Sequence, residues 1–178
     1  RSKRLQRTLA IGLALLATVS VGRAADEVYP MRPITVVVPY PAGGLFDAVA
    51  RILAEPMRGA LGQSVVVENV GGAGGSLGTG RLARTASNGY TIGIGDIGTY
   101  VLNGAVYLLP YNLLTEFEPV ALLVASPLLV LTRRTMPAKD LKELMAWLTA
   151  NGDKVSQGHV GSGTLSHLCG LYMQASTR

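Results

Sequence analysis

The sequence predicts an α/β fold with a parallel, doubly wound sheet, on the basis of three observations. Short runs rich in β-branched residues alternate with longer stretches of helical periodicity. The runs are continuously apolar, which is typical of strands buried on both faces. Glycine-rich loops separate several of these runs from the helices that follow. Because strands and helices alternate, we expect parallel pairing with right-handed crossovers.

The first strand and helix have the clearest pattern. Ile34–Val38 is a continuous β-branched run, and residues 47–61 follow with apolar side chains at helical spacing. Gly62 is expected to end this helix in the C′ position. Pro56 lies inside the helical pattern, where a proline removes a backbone hydrogen bond, so we expect a kink near Ile52 or an early stop there.

Two further strands and a helix complete the first predicted domain. Ser76 is a candidate N-cap of the helix, and Asn88-Gly89 forms a predicted turn. The predicted segments are a strand at residues 65–67, a glycine-rich loop at 71–75, a helix at 76–85 and a strand at 90–94.

The last part of the chain is predicted to begin a second domain. Residues 117–131 are apolar and are predicted to hold two strands, with a domain crossover near Ser126-Pro127. A strand at 155–160 and a helix from about Leu165 end the chain. We therefore predict a first domain over residues 25–125 and an incomplete second domain over 126–178.

One helix in this second part carries its own start signal. Residues 140–150 are helical in pattern, and Asp140 and Glu143 form a predicted capping box at its beginning. The predicted apolar stripe of this helix consists of Leu141, Leu144, Met145 and Leu148.

The N-terminal residues have the three parts of a secretory signal peptide. A basic stretch at residues 1–7 precedes an apolar run at 9–21, and Gly22-Arg23-Ala24 supplies small residues for cleavage after Ala24. The alternative is a membrane anchor, but the apolar run is shorter than the ~20 residues that span a bilayer. We expect residues 1–24 to be removed and the mature protein to be in the periplasm.

Charge and cysteine content exclude several classes of protein. The chain has 16 Lys+Arg and 11 Asp+Glu, but its basic excess lies in residues 1–25, which carry no acid. The rest is formally neutral, without the basic stripe of a nucleic-acid-binding protein. Cys169 is the only cysteine, so an internal disulfide is excluded, and no cysteine stands at the cleavage site as a lipoprotein requires.

The loop after the first strand is a candidate anion site. Tyr40, Ala42, Gly43 and Gly44 precede Asp47 at the carboxyl end of a predicted parallel strand, where open α/β sheets bind ligands. Glycines let the backbone approach a ligand, and the N-terminus of a helix favours an anion. The alternative, equally open on this pattern, is a tight turn in which Asp47 only caps the helix.

A second loop occupies the corresponding position later in the chain. Gly161-Ser162-Gly163-Thr164 lies between a predicted strand and a predicted helix and forms a candidate anion nest with two hydroxyls. As a dinucleotide motif it is incomplete, because Ser166 stands where the third glycine belongs. His167 either contacts the ligand or is a buried structural histidine, which is the commoner case.

No other motif predicts chemistry. Residues 71–75 lack the Gly-Lys-Ser/Thr ending of a P-loop, and Gly78 and Gly80 lie in a predicted helix, so we expect these glycines to serve close packing. His159 and His167 are the only histidines, and neither is spaced for a catalytic pair or a metal site. We expect no enzyme activity, no cofactor and no metal.

Many motifs in order resemble one known family, the Bug or TctC solute-binding receptors. The resemblance begins at Tyr29 and continues to the end of the chain, about half of a full-length member. The motifs that carry it are YPMRPI at 29–34, VVPYPAGG at 37–44 with Asp47, LGQ at 61–63, VVVEN at 65–69, GAGG at 72–75, NGYT at 88–91, FEPV at 117–120, and GSGT at 161–164 with His167-Leu168.

The resemblance implies a two-domain, Venus-flytrap fold of the periplasmic-binding-protein type (type II). It implies a receptor for a tripartite tricarboxylate transporter, with the two membrane subunits of that transporter as partners. Family ligands are mostly small carboxylates, held by backbone amides and hydroxyls of two strand-to-helix loops. Those loops match residues 40–47 and 161–167 here. We expect a monomer that binds no nucleic acid.

Some residues depart from the family pattern. Asp96 stands where the family has a Ser/Thr-rich segment, and its carboxylate would repel an anionic ligand if it faced the cleft. Thr99 is then the remaining candidate contact from this loop. Leu45 replaces a smaller or more polar residue, and Pro56 is unusual.

Three functions therefore compete at the level of sequence. The leading one is a receptor that closes over a small carboxylate. The second is a truncated, non-functional product of such a gene. The third is an exported enzyme on a nucleotide-type α/β fold, which would need an acid or base near residues 161–164.

Overall fold

Residues 28–177 are described by a computed structural model of the protein. The chain divides into two units, Arg1–Met31 and Arg32–Arg178. Of the first unit only residues 28–31 are described, and they form no helix or strand. The predicted signal peptide at 1–24 lies outside the described residues. No helix within residues 28–177 is long and apolar enough to cross a membrane.

The second unit contains a parallel sheet with β1 at its centre. β1 (Ile34–Val38) pairs in parallel with β2 (Val65–Asn69) on one side and with β3 (Thr91–Gly93) on the other. Val36 is opposite Val67 in one ladder and opposite Ile92 in the other. Every residue of β1 except the half-buried Thr35 is buried, as its continuous apolar run predicts.

Helices alternate with these strands as expected from the sequence. The helices are α1 (Leu45–Leu61), α2 (Ser76–Ala83), α3 (Asn103–Val106), α4 (Leu141–Asn151) and α5 (Leu165–Ala175). Short helical turns add to them: 3₁₀ turns at Ala73–Gly75 and Gly152–Lys154, and a π-helical turn at Gly98–Leu102 that leads into α3.

Helix α1 passes through Pro56 and ends where the sequence predicts. Gly62 adopts a left-handed conformation (φ 66°), and its N–H donates to the carbonyl of Arg58. The predicted early stop near Ile52 is wrong, because the helix continues to Leu61. Pro56 and Ile52 both lie on the exposed side of α1, where water can hydrogen-bond the carbonyl that proline leaves without a donor.

The core lies between β1 and α1. Val36 and Val38 project from β1 and form a buried cluster with Ala50 of α1 and with Ile94. Full burial of one such aliphatic side chain stabilises the folded state by roughly 1.5–3 kcal/mol. This cluster therefore fixes α1 against the sheet, and with it the loop that connects them.

Helix α2 packs closely because its buried residues are small. Gly78, Thr79 and Gly80 are buried, and a Cβ at Gly78 would lie 2.6 Å from the carbonyl oxygen of Val70. The expected packing role of these glycines is confirmed. The predicted N-cap is wrong: Ser76 is the first helical residue and Gly75 precedes it with φ 92°, a left-handed conformation that favours glycine.

Helix α4 begins with the predicted pair of Asp140 and Glu143, although Glu143 accepts from the amide before the N-cap rather than from that of Asp140. The carboxylate of Asp140 accepts from the amide of Glu143 at 2.8 Å, and Glu143 accepts from the amide of Lys139 at 2.8 Å. Leu144 is buried as predicted, but Leu141 is 61% exposed, so the predicted stripe is narrower than its sequence pattern. Leu141 is the first residue of the helix, where fewer neighbours can cover a side chain.

Two segments predicted as strands are irregular. Residues 117–131 and 155–160 contain no strand, and Leu122, Leu131 and Val160 are largely exposed. A strand is stable only when a neighbour satisfies its ladder of backbone hydrogen bonds. Neither edge of the described sheet receives these segments. The domain crossover near Ser126-Pro127 stays a prediction.

Replacement of Val36 tests the position of the core. Val36→Ala is expected to lower the free energy of unfolding by about 2–3 kcal/mol, because it leaves a cavity beside Ala50. Val66→Ala on β2, where the valine is 50% exposed, should cost less than about 1 kcal/mol. Urea unfolding measures both, and equal losses would contradict this description of the core.

Candidate functional site

The loop between β1 and α1 is closed by a carboxylate of its own. Asp47, the third residue of α1, accepts from the amide of Gly43 at 2.8 Å. It also binds the guanidinium of Arg51 at 3.0 Å. The hydrogen bonds from Arg51 and from the Gly43 amide lower the pKa of Asp47, so it is ionised at neutral pH. The Asp47 side chain thus holds this loop in a tight turn, as the second interpretation of the sequence predicts.

The same loop leaves polar backbone groups at its outer face. Ala42, Gly43 and Gly44 are exposed, and Gly44 is the N-cap of α1 without any side-chain hydrogen bond. Within residues 28–177, no acceptor is described for the amides of Leu45 and Phe46. Unpaired amides at a helix N-terminus carry partial positive charge, which favours an anion.

Tyr40 connects this loop to the end of β3. Its hydroxyl donates to Oδ1 of Asp96 at 3.0 Å, and its ring stacks on Phe46 at a centroid distance of 4.8 Å. The side-chain amide of Asn69 donates to the carbonyl of Tyr40 at 3.1 Å. Burial and the charge of Asp96 raise the pKa of Tyr40, so its hydroxyl remains a proton donor.

Asp96 and Thr99 form a reciprocal cap on the turn that follows β3. The amide of Thr99 donates to Oδ1 of Asp96 at 3.0 Å, and the amide of Asp96 donates to Oγ1 of Thr99 at 3.0 Å. The hydroxyl of Thr99 donates in turn to the carbonyl of Asp96. Thr99, a predicted ligand contact, is fully buried and already committed to this turn.

The second predicted loop begins helix α5 close to Asp96. Thr164 is the N-cap of α5, and its hydroxyl donates to the carbonyl of Gly161 at 2.6 Å. A Cβ at Gly98 would lie 3.1 Å from Oδ1 of Asp96 and 3.4 Å from the amide nitrogen of Leu165. The start of α5, the Asp96 carboxylate and, through its hydroxyl, Tyr40 are therefore neighbours.

Two histidines accept hydrogen bonds from backbone amides of this second loop. Nδ1 of His159 accepts from the amide of Gly161 at 3.1 Å, and Nδ1 of His167 accepts from the amide of Gly163 at 3.2 Å. The two rings lie beside each other at a centroid distance of 4.7 Å. His167 was a candidate from the sequence, whereas His159 was not, because its spacing matches no catalytic or metal motif.

A support beneath the second loop was also missed by sequence reasoning. The side-chain amide of Asn103 donates to the carbonyl of Gly74 at 2.9 Å, and the hydroxyl of Tyr107 donates to the carbonyl of Ser162 at 2.5 Å. A Cβ at Gly163 would lie 2.7 Å from the Tyr107 ring, which explains why glycine is needed there. The second loop thus packs against the glycine-rich loop at residues 71–75.

Asn103 contributes one further feature to this support. The residue is fully buried, and its Oδ1 has no hydrogen-bond partner among the described residues. A Cβ at Gly163 would lie 3.1 Å from that oxygen. An unpaired buried acceptor costs about 1–3 kcal/mol. The second loop therefore covers an acceptor that a hydrogen-bond donor would stabilise.

The described part of the chain forms no metal-binding cluster. No group of three His, Cys, Asp or Glu within residues 28–177 is placed to hold a metal ion. The described grooves lie elsewhere: one of about 240 Å³ between α2 and residues 107–111, and one of about 380 Å³ between residues 128–132 and the start of α4. What the arrangement offers chemically is hydrogen bonding from amides, hydroxyls and imidazoles.

Comparison with known proteins places the sequence among solute receptors. The sequence model of the Tripartite tricarboxylate transporter family receptor (TctC) matches residues 49–177. A curated relative from Agrobacterium vitis, the UPF0065 protein in the TAR-I ttuE-ttuC' intergenic region, is 37% identical over 92% of this chain and 48% of its own length. The chain thus spans about half the length of that relative.

Two solved structures share the fold. MatC from Rhodopseudomonas palustris with bound malate is 37% identical, with a TM-score of 0.77 over 84% of this chain and 51% of its own. The periplasmic binding protein BugD is 39% identical, with a TM-score of 0.70 over 84% of this chain and 50% of its own. The predicted periplasmic-binding-protein type of α/β fold is confirmed.

Asp47→Asn tests how the first loop is held. A carboxyl whose pKa is lowered in the folded state stabilises it above the unfolded pKa, and that stability is lost as pH falls through the folded pKa. The difference in urea midpoint between the unaltered protein and Asp47→Asn should be largest at neutral pH and shrink below about pH 4.

A control for this comparison is Asp153→Asn, in the exposed turn at Gly152–Lys154. It should give a much smaller difference at every pH. A difference for Asp47→Asn that stays constant down to about pH 2.5 would show that its carboxylate does not hold the loop.

Proposed function

The chain belongs to the tripartite tricarboxylate transporter receptor family (TctC), and from this premise we propose that it is a periplasmic solute-binding receptor. It captures a small carboxylate and presents it to the two membrane subunits of a tripartite tricarboxylate-type transporter. The protein is exported, acts as a monomer and changes no covalent bond in its ligand. Binding and release are its whole function.

The observation that carries this proposal is the meeting of two loops around Asp96: the loop between β1 and α1, and the loop that leads into α5. Tyr40 extends from the first loop to the Asp96 carboxylate, and the Leu165 amide at the start of α5 lies close to the same group. Helix N-termini and loop amides present partial positive charge to a ligand placed between them. Ligands of open α/β sheets bind at this carboxyl edge.

A carboxylate is the ligand class that the relatives and these donors both favour. MatC, which has the same fold, is described with bound malate. By analogy we assign the outer face of residues 42–46 and the loop at 161–167 to one carboxylate group of the ligand. The rest of the ligand would contact residues outside the half of the relatives that this chain spans, and the two domains would close over it by a hinge motion.

One observation favours a second candidate, a chain that does not bind on its own. Leu122, Leu131 and Val160 are largely exposed in segments without strand partners. Exposed apolar segments of this length promote association rather than a soluble monomer. The second candidate therefore predicts aggregation, whereas the first predicts a monomer that binds ligand.

Titration calorimetry of the purified mature protein against a panel of mono- and dicarboxylates that includes malate tests the proposal. We expect saturable binding of at least one carboxylate and no binding of uncharged analogues. A monodisperse protein that binds none of them would contradict the receptor function. A protein that elutes only as aggregate would support the second candidate.

Asp96→Asn tests whether its carboxylate faces the ligand. Asparagine retains an acceptor for Tyr40 and Thr99, so the cap should persist while the negative charge is lost. We expect carboxylate affinity to rise roughly five- to tenfold, because a like charge is removed from the site. Asp153→Asn is the matched control, and unchanged affinity in Asp96→Asn would place that charge outside the binding site.

A further inference from the structure

His159 and His167 form a pair whose proton positions are set by the backbone. Each Nδ1 accepts a hydrogen bond from a glycine amide, at 3.1 Å from Gly161 and 3.2 Å from Gly163. Because a backbone N–H can only donate a hydrogen bond, each Nδ1 must accept it with a lone pair. A neutral imidazole with its lone pair on Nδ1 carries its proton on Nε2.

The two Nε2–H groups are therefore donors, and they belong to neighbouring rings. The ring centroids are 4.7 Å apart, with the ring planes tilted by 50°. His159 is exposed and His167 is half-buried, and within residues 28–177 neither Nε2 has a described partner. The surface of the second loop thus carries two adjacent N–H donors without acceptors of its own.

Donors of this kind suit an anion and do not suit a metal ion. A metal ligand must present a lone pair, and here the lone pair of each ring is used by a glycine amide. A carboxylate has two oxygens that each accept from N–H donors, and it gains more from such bonds than a neutral acceptor does. Donors on two neighbouring rings can therefore each bond one oxygen of the same carboxylate.

We propose that the Nε2–H groups of His159 and His167 bind one carboxylate of the ligand through one hydrogen bond each. The proposal rests on the receptor function above and adds to it. The imidazoles, rather than the amides of Gly161 and Gly163, contact the ligand from this loop, and those amides act by holding the imidazoles. His159, which no sequence motif marks, becomes a specificity residue.

The competing explanation is that the histidines only satisfy the loop amides. Asparagine and glutamine separate these roles, because the Asn side-chain oxygen can take the place of Nδ1 and the Gln side-chain NH₂ can take the place of Nε2. An Asn variant keeps the acceptor for the glycine amide and loses the outer donor. A Gln variant keeps an outer donor. Cys169→Ser, at an exposed position on the same helix, is the control.

The first measurement needs no ligand. ¹⁵N NMR of the imidazole nitrogens at neutral pH is expected to find both rings protonated on Nε2 and unprotonated on Nδ1. Protonation of either ring on Nδ1 would overturn the proposal, since that nitrogen would then be unable to accept from its glycine amide.

The second measurement is calorimetric titration with malate and, in parallel, with the tightest-binding carboxylate of the panel. His159→Asn and His167→Asn are each expected to weaken binding roughly 10- to 100-fold, the range for a lost hydrogen bond to a charged group. His159→Gln and His167→Gln should retain more affinity, and Cys169→Ser should bind like the unaltered protein.

The outcomes separate this proposal from the function on which it rests. An unaltered protein that binds no carboxylate overturns both the receptor function and the ligand contact of the histidines. An unaltered protein that binds, with Asn variants of equal affinity, overturns only the histidine contact. The histidine contact is supported if the Asn variants bind more weakly than the unaltered protein and the Gln variants bind more tightly than the Asn variants.

Discussion

Parallel pairing of β1 on both sides is the constraint from which the candidate site follows. Three parallel strands end at the same edge of the sheet, so the segments after β1, β2 and β3 must meet there. Burial of Val36 and Val38 under α1 fixes the first of these segments in place. The hydrogen bond from Tyr40 to Asp96 then joins the first segment to the third across that edge.

The polar groups at this edge are largely satisfied from within. Asp47 accepts a hydrogen bond from the Gly43 amide, and Thr99 accepts one from the Asp96 amide. The two histidines accept from amides of the second loop. These bonds fix the loops in defined conformations before any ligand arrives, which reduces the entropy lost on binding. Donors that remain outward, such as the amides of Leu45 and Phe46, then meet a ligand without rearrangement.

Local pattern was enough to predict the elements that are stabilised by local contacts. The left-handed Gly62 and the N-cap of Asp140 each depend on residues close in sequence, and each is confirmed. The strand at Ile34–Val38 is also confirmed, because its continuous apolar run indicated burial between two neighbouring strands. The strands predicted at 117–131 and 155–160 failed because a strand depends on a distant partner. The early stop near Ile52 was wrong because the effect of Pro56 depends on whether water reaches the unpaired carbonyl.

The site shows the same division between local and distant information. Both loops were predicted from their glycines, but only the first follows a strand in the structure. The roles of Asn103 and Tyr107 could not be predicted, because they act on Gly74 and Ser162 through contacts remote in sequence. The orientation of the Asp96 side chain depends on its hydrogen bonds to Tyr40 and Thr99. Thr99 is close to Asp96 in sequence, but Tyr40 is 56 residues away, so the bond to Tyr40 could not be predicted.

The electrostatic character of the site follows from which charges are already paired. Arg51 is the cation nearest the first loop in sequence, and it is bound to Asp47. Within residues 28–177, the described bonds of the Asp96 carboxylate come from two hydroxyls and an amide, and no ion pair is described for it. An anionic ligand would therefore be attracted by dipoles of amides and imidazoles and opposed by one carboxylate. Dipole interactions weaken with distance faster than the interaction of two charges does. A site of this kind holds a ligand only in close, well-oriented contact, which suits the proposed function, since a receptor must also release what it binds.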